Sequence, residues 1–421
     1  MHHVIIGAGP AGVIAAETLY EQDPDARITL VGDEPEPPYS RMAIPYYLID
    51  RIDEHGTYLR KQEGYFERIG TTVLRDRVNS VSAANRKLAL ASGGVLNYDR
   101  LLIASGSRPV TPPIDGIDSP GVYPCWTLQD AREIHQRASR GSRVVLIGAG
   151  FIGSIILESL ALRGVELTLV EMANRMVPRM MNETCGGMIT RWCESRGVRV
   201  HTSTRVRSIE SAGSDGTLVV RLDGGEALPA DLVIRATGVL PNTGFLDDSG
   251  VTVDGGVLVN EYLQTNDPDI FAAGDVARGR DFCTGEHSVL AVQPTAADHG
   301  RIAAANMARP RVLRHQGSVA MNVLDTLGLV SASFGAWSGV DGGQSAELID
   351  ADRYRYLSLQ FEDDRLIGAN SLGLTQHVGV LRGLIQSRLR LGPWKRRLMD
   401  DPTRIMEAYL GATHGGVTQA R

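Results

Sequence analysis

The stretch Gly148–Gly153, GAGFIG, repeats a pattern that the chain already carries at Gly7–Gly12 as GAGPAG. Each copy follows a short run of β-branched residues and precedes a segment with the apolar spacing of a helix. A strand, a tight glycine turn and a helix in this order cradle a pyrophosphate, because the helix N-terminus presents unpaired N–H groups and a positive dipole end to an anion. The repeat therefore predicts an α/β fold with two Rossmann-like dinucleotide-binding domains.

In the first copy the three glycines have separate tasks. Gly7 permits the turn, Gly9 lets the backbone approach a pyrophosphate, and Gly12 lets the helix pack close to the strand. A second strand is predicted over RITLVGDEP and ends at Asp33–Glu34, where a carboxylate can accept hydrogen bonds from an adenosine ribose. Strand, helix, second strand and acid in register indicate a dinucleotide site rather than a chance glycine turn.

The second copy repeats the whole unit with glycines at Gly148, Gly150 and Gly153. A strand over Arg143–Ile147 leads into the turn, a helix is predicted to about Arg163, and the next strand ends at Glu171. An acid there favours NAD over NADP, because a carboxylate binds the 2′-hydroxyl and repels a 2′-phosphate. Arg175 lies four residues later and is expected to soften that preference.

Composition narrows the class of protein further. The 421 residues, 43% of them hydrophobic, leave room for about two to three domains, and a net charge of −6 gives no general attraction to nucleic acid or acidic membranes. The first apolar run begins at Val4, which leaves no room for a signal peptide, and the longest one, Val144–Leu157, is too short to span a bilayer. Four cysteines without a CxxC pair predict reduced thiols, no metal site and a cytoplasmic location.

Three further stretches carry a family resemblance. YDRLLIASGSRP (Tyr98–Pro109) resembles the strand that leaves the first dinucleotide domain, and DLVIRATGVLPNTGFL (Asp231–Leu246) resembles its counterpart in the second. IFAAGDVA (Ile270–Ala277) resembles the flavin-ribityl motif, in which the aspartate, here Asp275, holds the sugar chain of FAD. With both cradles, the chain resembles the FAD-dependent pyridine nucleotide–disulfide oxidoreductases, especially the NADH-linked rubredoxin, ferredoxin and nitrite reductase-type flavoproteins.

The resemblance implies FAD in the first cradle and NAD(H) in the second, which then delivers or accepts a hydride. It assigns FAD binding to Gly7, Gly9, Ala11, Gly12, Glu34, Arg41, Val78, Ser105, Gly106, Gly274 and Asp275. It assigns NAD binding to Gly148, Gly150, Ile152, Gly153, Glu171 and Gly238. We assign no catalytic acid or base and no metal ligand, because hydride transfer depends on the alignment of two rings.

The same resemblance implies a domain order with an interruption. We expect an FAD-binding domain at residues 1–110 and 240–310, an inserted NAD-binding domain at 111–239, and an α+β C-terminal interface or docking domain at 311–421. In the last domain RYRYLSLQFEDDRLIGANSLG predicts a hairpin with its turn at Glu362–Arg365.

A helix is predicted after this hairpin, over QHVGVLRGLIQSRLRL, with Val378, Leu381, Leu384 and Ile385 on its apolar face. Pro393 is expected to stop it, and Pro402 to lie in the first turn of the next helix.

The stretch that carries a redox-active cysteine in the disulfide reductases has none here. EPPYSRMAIPYYLID (Glu36–Asp50) contains no sulfur except Met42, and a thioether cannot act as the nucleophile of disulfide exchange. Arg41 matches the flavin-contacting arginine of the PY-x-R motif in rubredoxin and ferredoxin reductases. The chain therefore passes electrons from the flavin directly to another acceptor.

Two positions depart from the pattern of those relatives. Pro45–Tyr46 stands where they often carry a lysine near flavin N5, and Ile155 stands where they often carry a glutamate. The joint loss is coherent, since either charge alone would be unpaired in a desolvated site. Glu158 lies one helical turn beyond Ile155, either as a substitute or as an ordinary helix-surface glutamate.

The resemblance implies an NAD(H):acceptor flavoenzyme whose partner is a ferredoxin- or rubredoxin-type protein or an iron–sulfur subunit. PYSRMAIPYYL (38–48) and LRGLIQSRLRLGPWKRRLMDDPTRIMEAYL (381–410) resemble flavin subunits of phenylglyoxylate-type 2-oxoacid:NAD oxidoreductase complexes. An NADH oxidase and a nitrite reductase-type flavin component are alternatives, and a flavin-bearing redox sensor or interaction subunit is an alternative of another class. Both a homodimer and a subunit of a larger complex fit the sequence.

A basic run near the C-terminus has two interpretations. Six cations lie within sixteen residues that contain no acid: Arg382, Arg388, Arg390, Lys395, Arg396 and Arg397. They form either a solvated face with internal ion pairs or a docking surface for an acidic iron–sulfur partner.

Overall fold

The structure is a computed structural model that describes residues 1–213 and 216–418. These residues form two compact units, Met1–Arg108 with Val239–Ser318, and Pro109–Gly238 with the residues from Val319 onward. Which cofactor each stretch binds, and hence the expected three-way division of the chain, stays a prediction. Every helix in the described residues is too short or too polar to cross a lipid bilayer.

The strands of the described residues, numbered along the chain, are β1 His2–Ile6, β2 Arg27–Gly32, β3 Thr71–Arg75, β4 Val78–Ser82, β5 Lys87–Leu90, β6 Val95–Asn97, β7 Arg100–Ile103, β8 Ser107–Pro109, β9 Val122–Pro124, β10 Arg143–Ile147, β11 Glu166–Val170, β12 Arg199–His201, β13 Val206–Ser211, β14 Leu218–Leu222, β15 Ala227–Ala230, β16 Leu232–Arg235, β17 Val239–Pro241, β18 Val257–Leu258, β19 Ile270–Ala272, β20 Ala277–Arg280, β21 His287–Ser288, β22 Met321–Thr326, β23 Leu329–Gly335, β24 Gln344–Asp350, β25 Arg355–Glu362 and β26 Arg365–Leu372. The α-helices are α1 Pro10–Gln22, α2 Ile44–Leu48, α3 Tyr65–Arg68, α4 Leu128–Arg137, α5 Phe151–Leu162, α6 Glu183–Ser195, α7 Gln293–Ala308, α8 Val378–Ser387, α9 Pro393–Asp400 and α10 Ile405–Thr418.

The first unit is built on a parallel sheet with strand order β19-β7-β1-β2-β3. Ile5 in the central strand pairs in register with Leu30 on one side and Leu102 on the other, and all three side chains are fully buried. Such continuous apolar runs are typical of parallel strands whose two faces are both covered. Helices α1 and α7 pack so closely that a Cβ on Gly300 would lie 2.3 Å from the carbonyl oxygen of Ala11.

The second unit repeats this arrangement in its own parallel sheet, with order β12-β11-β10-β16-β9. The central strand β10 again pairs with the strand after the first helix, Ile147 with Val170, and with a late strand, Ile147 with Arg235. The antiparallel strands β13, β14 and β15 add Val206, Ile209 and Val220 to the core beside it. The predicted α/β fold with two Rossmann-like domains is confirmed.

The C-terminal part of the second unit is an antiparallel sheet with order β22-β23-β26-β25-β24, followed by three helices in the described residues. Strands β25 and β26 form the predicted hairpin, whose last pair is Glu362 with Arg365. Of the predicted apolar face of α8, Leu381, Leu384 and Ile385 are buried, whereas Val378, the first residue of the helix, is half-buried.

Two helix boundaries differ from the sequence prediction. Helix α8 ends at Ser387, where Arg388 adopts a left-handed conformation with φ +51°, and Pro393 begins α9 instead of stopping α8. Proline suits that place, because the first residue of a helix needs no N–H partner. Pro402 precedes α10, which starts at Ile405.

The C-terminal sheet is joined to the parallel sheet of the same unit by hydrogen bonds of two buried residues, Tyr356 and Asn370. Asn182, the N-cap of α6, donates its side-chain amide to the hydroxyl of Tyr356, which donates to Glu347 at 2.6 Å. Asn370 donates to the carbonyl of Met180 at 2.9 Å. Tyr356 and Asn370 are almost completely buried, so these hydrogen bonds hold the two sheets in one arrangement, since breaking them would leave unpaired polar atoms.

Candidate functional site

In the turn of the first cradle, backbone atoms lie in direct contact with other backbone atoms. Gly7 has φ +111° and donates its N–H to the carbonyl of Val31 at 2.7 Å. A Cβ on Gly7 would lie 2.1 Å from the oxygen of Ala104, and a Cβ on Gly12 would lie 2.0 Å from the oxygen of Gly7. Both positions therefore require glycine for the fold itself.

Gly9 lies in the same turn but faces open space. It is the N-cap of α1, with φ −80° and ψ −174°, and a Cβ there would meet no atom of the protein within 4 Å. Glycine is not needed at this position for folding, and the open space lies over the helix N-terminus. An anion can reach the N–H groups of α1 from this side.

The second cradle reproduces this geometry in the second unit. Gly148 has φ +100° and donates to the carbonyl of Val170 at 2.8 Å. A Cβ on Gly148 would lie 2.5 Å from the oxygen of Ala236, and a Cβ on Gly153 would lie 2.0 Å from the oxygen of Gly148. At Gly150, the N-cap of α5, a Cβ would again meet no protein atom within 4 Å.

The first helical turn behind each cradle contains one of the remaining candidates. Ala11 is buried in α1, where its small side chain lies against Gly274. Ile152 is half-buried in α5. Both are apolar, so a cofactor phosphate would meet their backbone N–H groups rather than their side chains.

Glu171 follows β11 directly, and its side chain binds the backbone of the second cradle. Its carboxylate accepts hydrogen bonds from the backbone N–H of Ala149 at 2.7 Å and of Ala173 at 2.8 Å, and the residue is 7% exposed. A carboxylate has about four acceptor sites, so about two remain for ribose hydroxyls. Its role in cofactor choice stays a prediction.

Arg175 is occupied by the loop in which it lies. Its guanidinium donates to the carbonyl of Met181 at 3.0 Å, to the side chain of Asn174 at 2.8 Å and to the carbonyl of Pro178 at 3.3 Å. These bonds argue against a free cation for a 2′-phosphate, and the softened preference for NAD stays an untested expectation.

Three FAD candidates from distant segments come together at the first cradle. Arg41 forms an ion pair with Glu34 at 2.6 Å, and the hydroxyl of Tyr39 donates to the other oxygen of that carboxylate. The positive charge of Arg41 also lowers the pKa of Asp275. One guanidinium thus offsets two carboxylates that follow β2 and β19.

The surroundings of Asp275 shift its pKa in opposite directions. Burial raises the pKa of Asp275, whereas the hydroxyl of Ser107, which donates to Asp275 at 2.8 Å, and the charge of Arg41 lower it. The preceding Gly274 has φ +75°, and a Cβ there would lie 3.3 Å from that of Ala11. The turn that carries the carboxylate is therefore fixed against the first turn of α1.

The remaining candidates offer backbone rather than side-chain groups. Ser105 donates its hydroxyl to the carbonyl of Asn242 at 2.8 Å, and Gly106 accepts from the N–H of Asn242 at 2.9 Å. Gly238 has φ +106° and accepts from the N–H of Val110 at 2.9 Å. The side chain of Val78, at the start of β4, is buried in the core. The cofactor roles of these four residues stay predictions.

Sequence reasoning missed three residues that support these groups: Tyr39, Ser107 and His299. Tyr39 binds Glu34, Ser107 binds Asp275, and His299 accepts a hydrogen bond from the N–H of Gly274. Ser107 lies in the quoted SGSRP segment, where its hydroxyl could have been predicted as a hydrogen-bond donor to a site residue. Tyr39 lies in the PY-x-R motif with Arg41, and that motif was its signal. No spacing rule points to His299, because its contact with Gly274 forms only in the folded chain.

Three of the four cysteines are buried, and Cys283 is half-buried. Burial raises the pKa values of Cys125, Cys185 and Cys193 to about 12, so these thiols stay protonated near neutral pH and are poor nucleophiles. No group of His, Cys, Asp and Glu side chains in the described residues is arranged to hold a metal ion.

The residues of the two cradles fit a flavin and a nicotinamide dinucleotide, and known proteins with this architecture agree. Residues 1–308 match the model of the pyridine nucleotide-disulphide oxidoreductase family. The chain is 29% identical over 413 residues to the NADH-dependent phenylglyoxylate dehydrogenase subunit epsilon of Aromatoleum evansii, covering 98% of this chain and 97% of that one. It is 33% identical over 309 residues to the ferredoxin–NAD(+) reductase component of the anthranilate 1,2-dioxygenase system of Burkholderia cepacia, covering 72% and 75%.

A solved structure extends the likeness to the whole described fold. The crystal structure of the covalent putidaredoxin reductase–putidaredoxin complex aligns with a TM-score of 0.89 at 25% identity, over 98% of this chain and 99% of that one. The duplicated cradles, the C-terminal antiparallel sheet and these matches lead to one assignment. The chain belongs to the pyridine nucleotide-disulphide oxidoreductase family and is an FAD-dependent NAD(H) oxidoreductase.

Proposed function

We propose that this protein moves electrons between NAD(H) and an iron–sulfur protein or subunit, without a redox-active dithiol. The observation that carries the proposal is the pair of cradles with the same backbone geometry, each open at Gly9 or Gly150 and each followed by an acid. One cradle is supplemented by Asp275 and Arg41, as a flavin site requires, and the other by Glu171, as an NAD site requires.

In the first unit the protein binds and orients the flavin. The N-terminus of α1 receives the pyrophosphate over Gly9, Glu34 accepts ribose hydroxyls, and Asp275 accepts hydroxyls of the sugar chain. Arg41 offsets the charge that these acids and the phosphates bring together. FAD, when bound, supplies the conversion between a two-electron hydride and single electrons.

In the second unit the protein selects and holds the nicotinamide dinucleotide. The N-terminus of α5 receives its pyrophosphate over Gly150, and Glu171 accepts the 2′-hydroxyl. The backbone bonds of Glu171 to Ala149 and Ala173 hold the carboxylate in one orientation before the cofactor arrives. Pre-organisation of this kind lowers the entropy lost on binding.

The full-length match with a phenylglyoxylate dehydrogenase subunit supports a finer proposal about the partner. We place this chain as the NAD-reducing flavin subunit of a 2-oxoacid dehydrogenase complex, in which an iron–sulfur subunit delivers the electrons. The matches to ferredoxin–NAD(+) reductase components and to putidaredoxin reductase support the same class of one-electron partner. A cytoplasmic location belongs to this proposal, and the four free cysteines are consistent with it.

The helices α8 and α9 supply a surface suited to such a partner. Arg390 and Arg396 are exposed and form no ion pair with any described residue. Arg397 lies over the ring of Trp394 at 4.3 Å, and the side chain of Arg382 bonds to Gln386 of the same helix at 3.0 Å. These four cations form no ion pair with a described acid, and they would steer an acidic partner.

Anaerobic stopped-flow measurement of flavin absorbance tests the proposal. We expect rapid bleaching by NADH, followed by rapid reoxidation when an oxidised ferredoxin is added and slow reoxidation in air. Fast reoxidation in air would identify an oxidase instead, and slow bleaching by NADH would identify a sensor. Purification of the native chain with its associated proteins tests the complex, since recovery of the chain alone would contradict the subunit assignment.

A further inference from the structure

His299 lies in the middle of α7, directly behind the turn that carries Asp275. It is 3% exposed, its Nδ1 accepts a long hydrogen bond from the N–H of Gly274 at 3.4 Å, and its Nε2 lies 3.0 Å from the hydroxyl of Ser318. Because Nδ1 accepts, the ring proton is on Nε2, and His299 donates it to Ser318. The tautomer of this imidazole is thus fixed by its two neighbours.

A second histidine completes the chain of hydrogen bonds. The hydroxyl of Ser318 lies 3.3 Å from Nε2 of His315, and the rings of His299 and His315 meet edge to face with centroids 4.7 Å apart. Burial lowers the pKa of His299 to about 3 and also lowers that of His315, so both rings are neutral near pH 7. The bonds then run in one direction, from His299 through Ser318 to His315.

The turn that this chain supports has little freedom of its own. Gly274 adopts φ +75°, and a Cβ there would lie 3.3 Å from that of Ala11 and 3.4 Å from that of Ala296. Ser107 holds the side chain of Asp275 from one direction, whereas His299 holds the backbone one residue earlier. A shift of the Gly274 peptide would move the Asp275 carboxylate with it.

We propose that His299 is a positioning residue for the flavin site, whose neutral ring orients the Gly274–Asp275 turn so that Asp275 meets the cofactor sugar. The inference rests on the proposed role of Asp275 in binding FAD. A histidine that only filled the core would be replaceable by an apolar residue of similar size with no change in flavin affinity. An accepting nitrogen is required here instead, because an apolar residue would leave the Gly274 N–H buried without a partner.

The test measures FAD binding by the full chain after its flavin is removed, using the quenching of flavin fluorescence. His299→Leu removes both hydrogen bonds, and we expect its dissociation constant for FAD to rise at least tenfold. His299→Gln can accept with its amide oxygen and donate with its amide nitrogen, so we expect affinity within about threefold of the wild type. The flavin absorbance spectrum should shift in His299→Leu and not in His299→Gln.

His3→Leu is the matched control, because His3 is also fully buried, in β1, and its Nε2 bonds to Asp23 at 3.2 Å. It should lower the free energy of unfolding in urea without changing FAD affinity. Equal loss of affinity in His3→Leu and His299→Leu would overturn the proposal, as would unchanged affinity in His299→Leu. Loss of affinity in His299→Gln equal to that in His299→Leu would also contradict it.

Ser318→Ala decides the matter if His299→Leu does not fold. It leaves the Nε2–H of His299 without an acceptor, and we expect weaker FAD binding, whereas wild-type affinity would refute the positioning role. Asp275→Ala, measured in parallel, separates the two proposals. Unchanged affinity in Asp275→Ala contradicts the flavin assignment itself. Weak binding in Asp275→Ala with wild-type binding in His299→Leu contradicts the role of His299 alone.

Discussion

A single methyl group added to each cradle should separate the two cofactors. Gly9 and Gly150 are the N-caps of α1 and α5, with φ of −80° and −71°, and a Cβ at either position meets no protein atom within 4 Å. Alanine adopts these backbone angles without strain. Gly9→Ala and Gly150→Ala should therefore fold normally and lose no more than about 1 kcal/mol of stability, because alanine is a poor N-cap residue.

The binding of one cofactor should suffer much more in each variant. The methyl occupies the open space over the helix N-terminus, where the pyrophosphate is expected. An anion at a helix N-terminus is worth about 0.3–1 kcal/mol, and a hydrogen bond to a charged group about 1.5–3 kcal/mol. Losing both weakens binding by about 2–4 kcal/mol, which is about 30- to 1,000-fold in the dissociation constant.

Two assays read out this effect separately. Gly150→Ala should purify with a full complement of flavin, and its dissociation constant for NADH, from the reductive half-reaction, should rise by that factor. Gly9→Ala should retain its fold by circular dichroism but lose FAD on dilution. If Gly150→Ala lost flavin while keeping NADH affinity, or if both variants bound both cofactors normally, the assignment of the cradles would be refuted.

Gly12→Ala and Gly153→Ala provide the contrast. In both variants the added Cβ would lie 2.0 Å from a carbonyl oxygen of the same turn, at Gly7 or Gly148. Nothing there can move without opening the turn, so these variants should be destabilised by several kcal/mol, about the upper range for core overpacking. Wild-type stability in either would contradict the geometry of its cradle.

Three further predictions concern charge. Asp275→Ala should weaken FAD binding at every pH. The wild type should lose FAD as the pH falls through the raised pKa of Asp275, because the protonated carboxyl accepts hydrogen bonds from hydroxyls poorly. Identical pH profiles of FAD binding in both proteins, measured by fluorescence, would count against this. Glu171→Ala should lower the ratio of kcat/KM for NADH over NADPH by about tenfold, equal to about 1.4 kcal/mol, and an unchanged ratio would remove this residue as the discriminator. Arg396→Glu with Arg397→Glu should slow electron transfer to the native iron–sulfur partner at low salt but not to ferricyanide. Arg205→Glu with Arg207→Glu, which changes two exposed residues of the same unit, should alter neither rate. Normal transfer to the partner in the first double variant would contradict the docking surface.

Both parallel sheets could be predicted from the sequence because their constraints are local. A Cβ on Gly12 would lie 2.0 Å from the carbonyl oxygen of Gly7, and a Cβ on Gly153 would lie 2.0 Å from that of Gly148, so the glycine pattern reflects a steric requirement of the turn itself. The alternating runs on either side of Glu362–Arg365 indicated a hairpin in the same way. The prediction that Pro393 stops a helix was wrong, because proline is compatible both with a position after a helix and with the first residue of the next helix.

The supports of the candidate site could not be predicted, because they depend on tertiary contacts between distant residues. Ser107 and His299 acquire their roles only when β8 and α7 meet the Gly274–Asp275 turn in one unit, whereas Tyr39 binds Glu34, five residues away in the chain. Nor could the sequence reveal that Glu171 bonds to the backbone of its own glycine turn, or that Arg175 is tied to the following loop. Periodicity and spacing describe which face a residue occupies, but not which buried donor it satisfies.

The near-identity of the two cradles has a consequence for selectivity. FAD and NAD share the same adenylate half, and the matched backbone at Gly7–Gly12 and Gly148–Gly153 offers it the same groups in both units. On the proposed assignment, discrimination between the two dinucleotides comes from groups outside the glycine turns, such as the Asp275 carboxylate, which Ser107 holds in one unit. The proposed difference between a retained flavin and an exchanging NAD(H) thus depends on a few side chains outside a duplicated backbone frame.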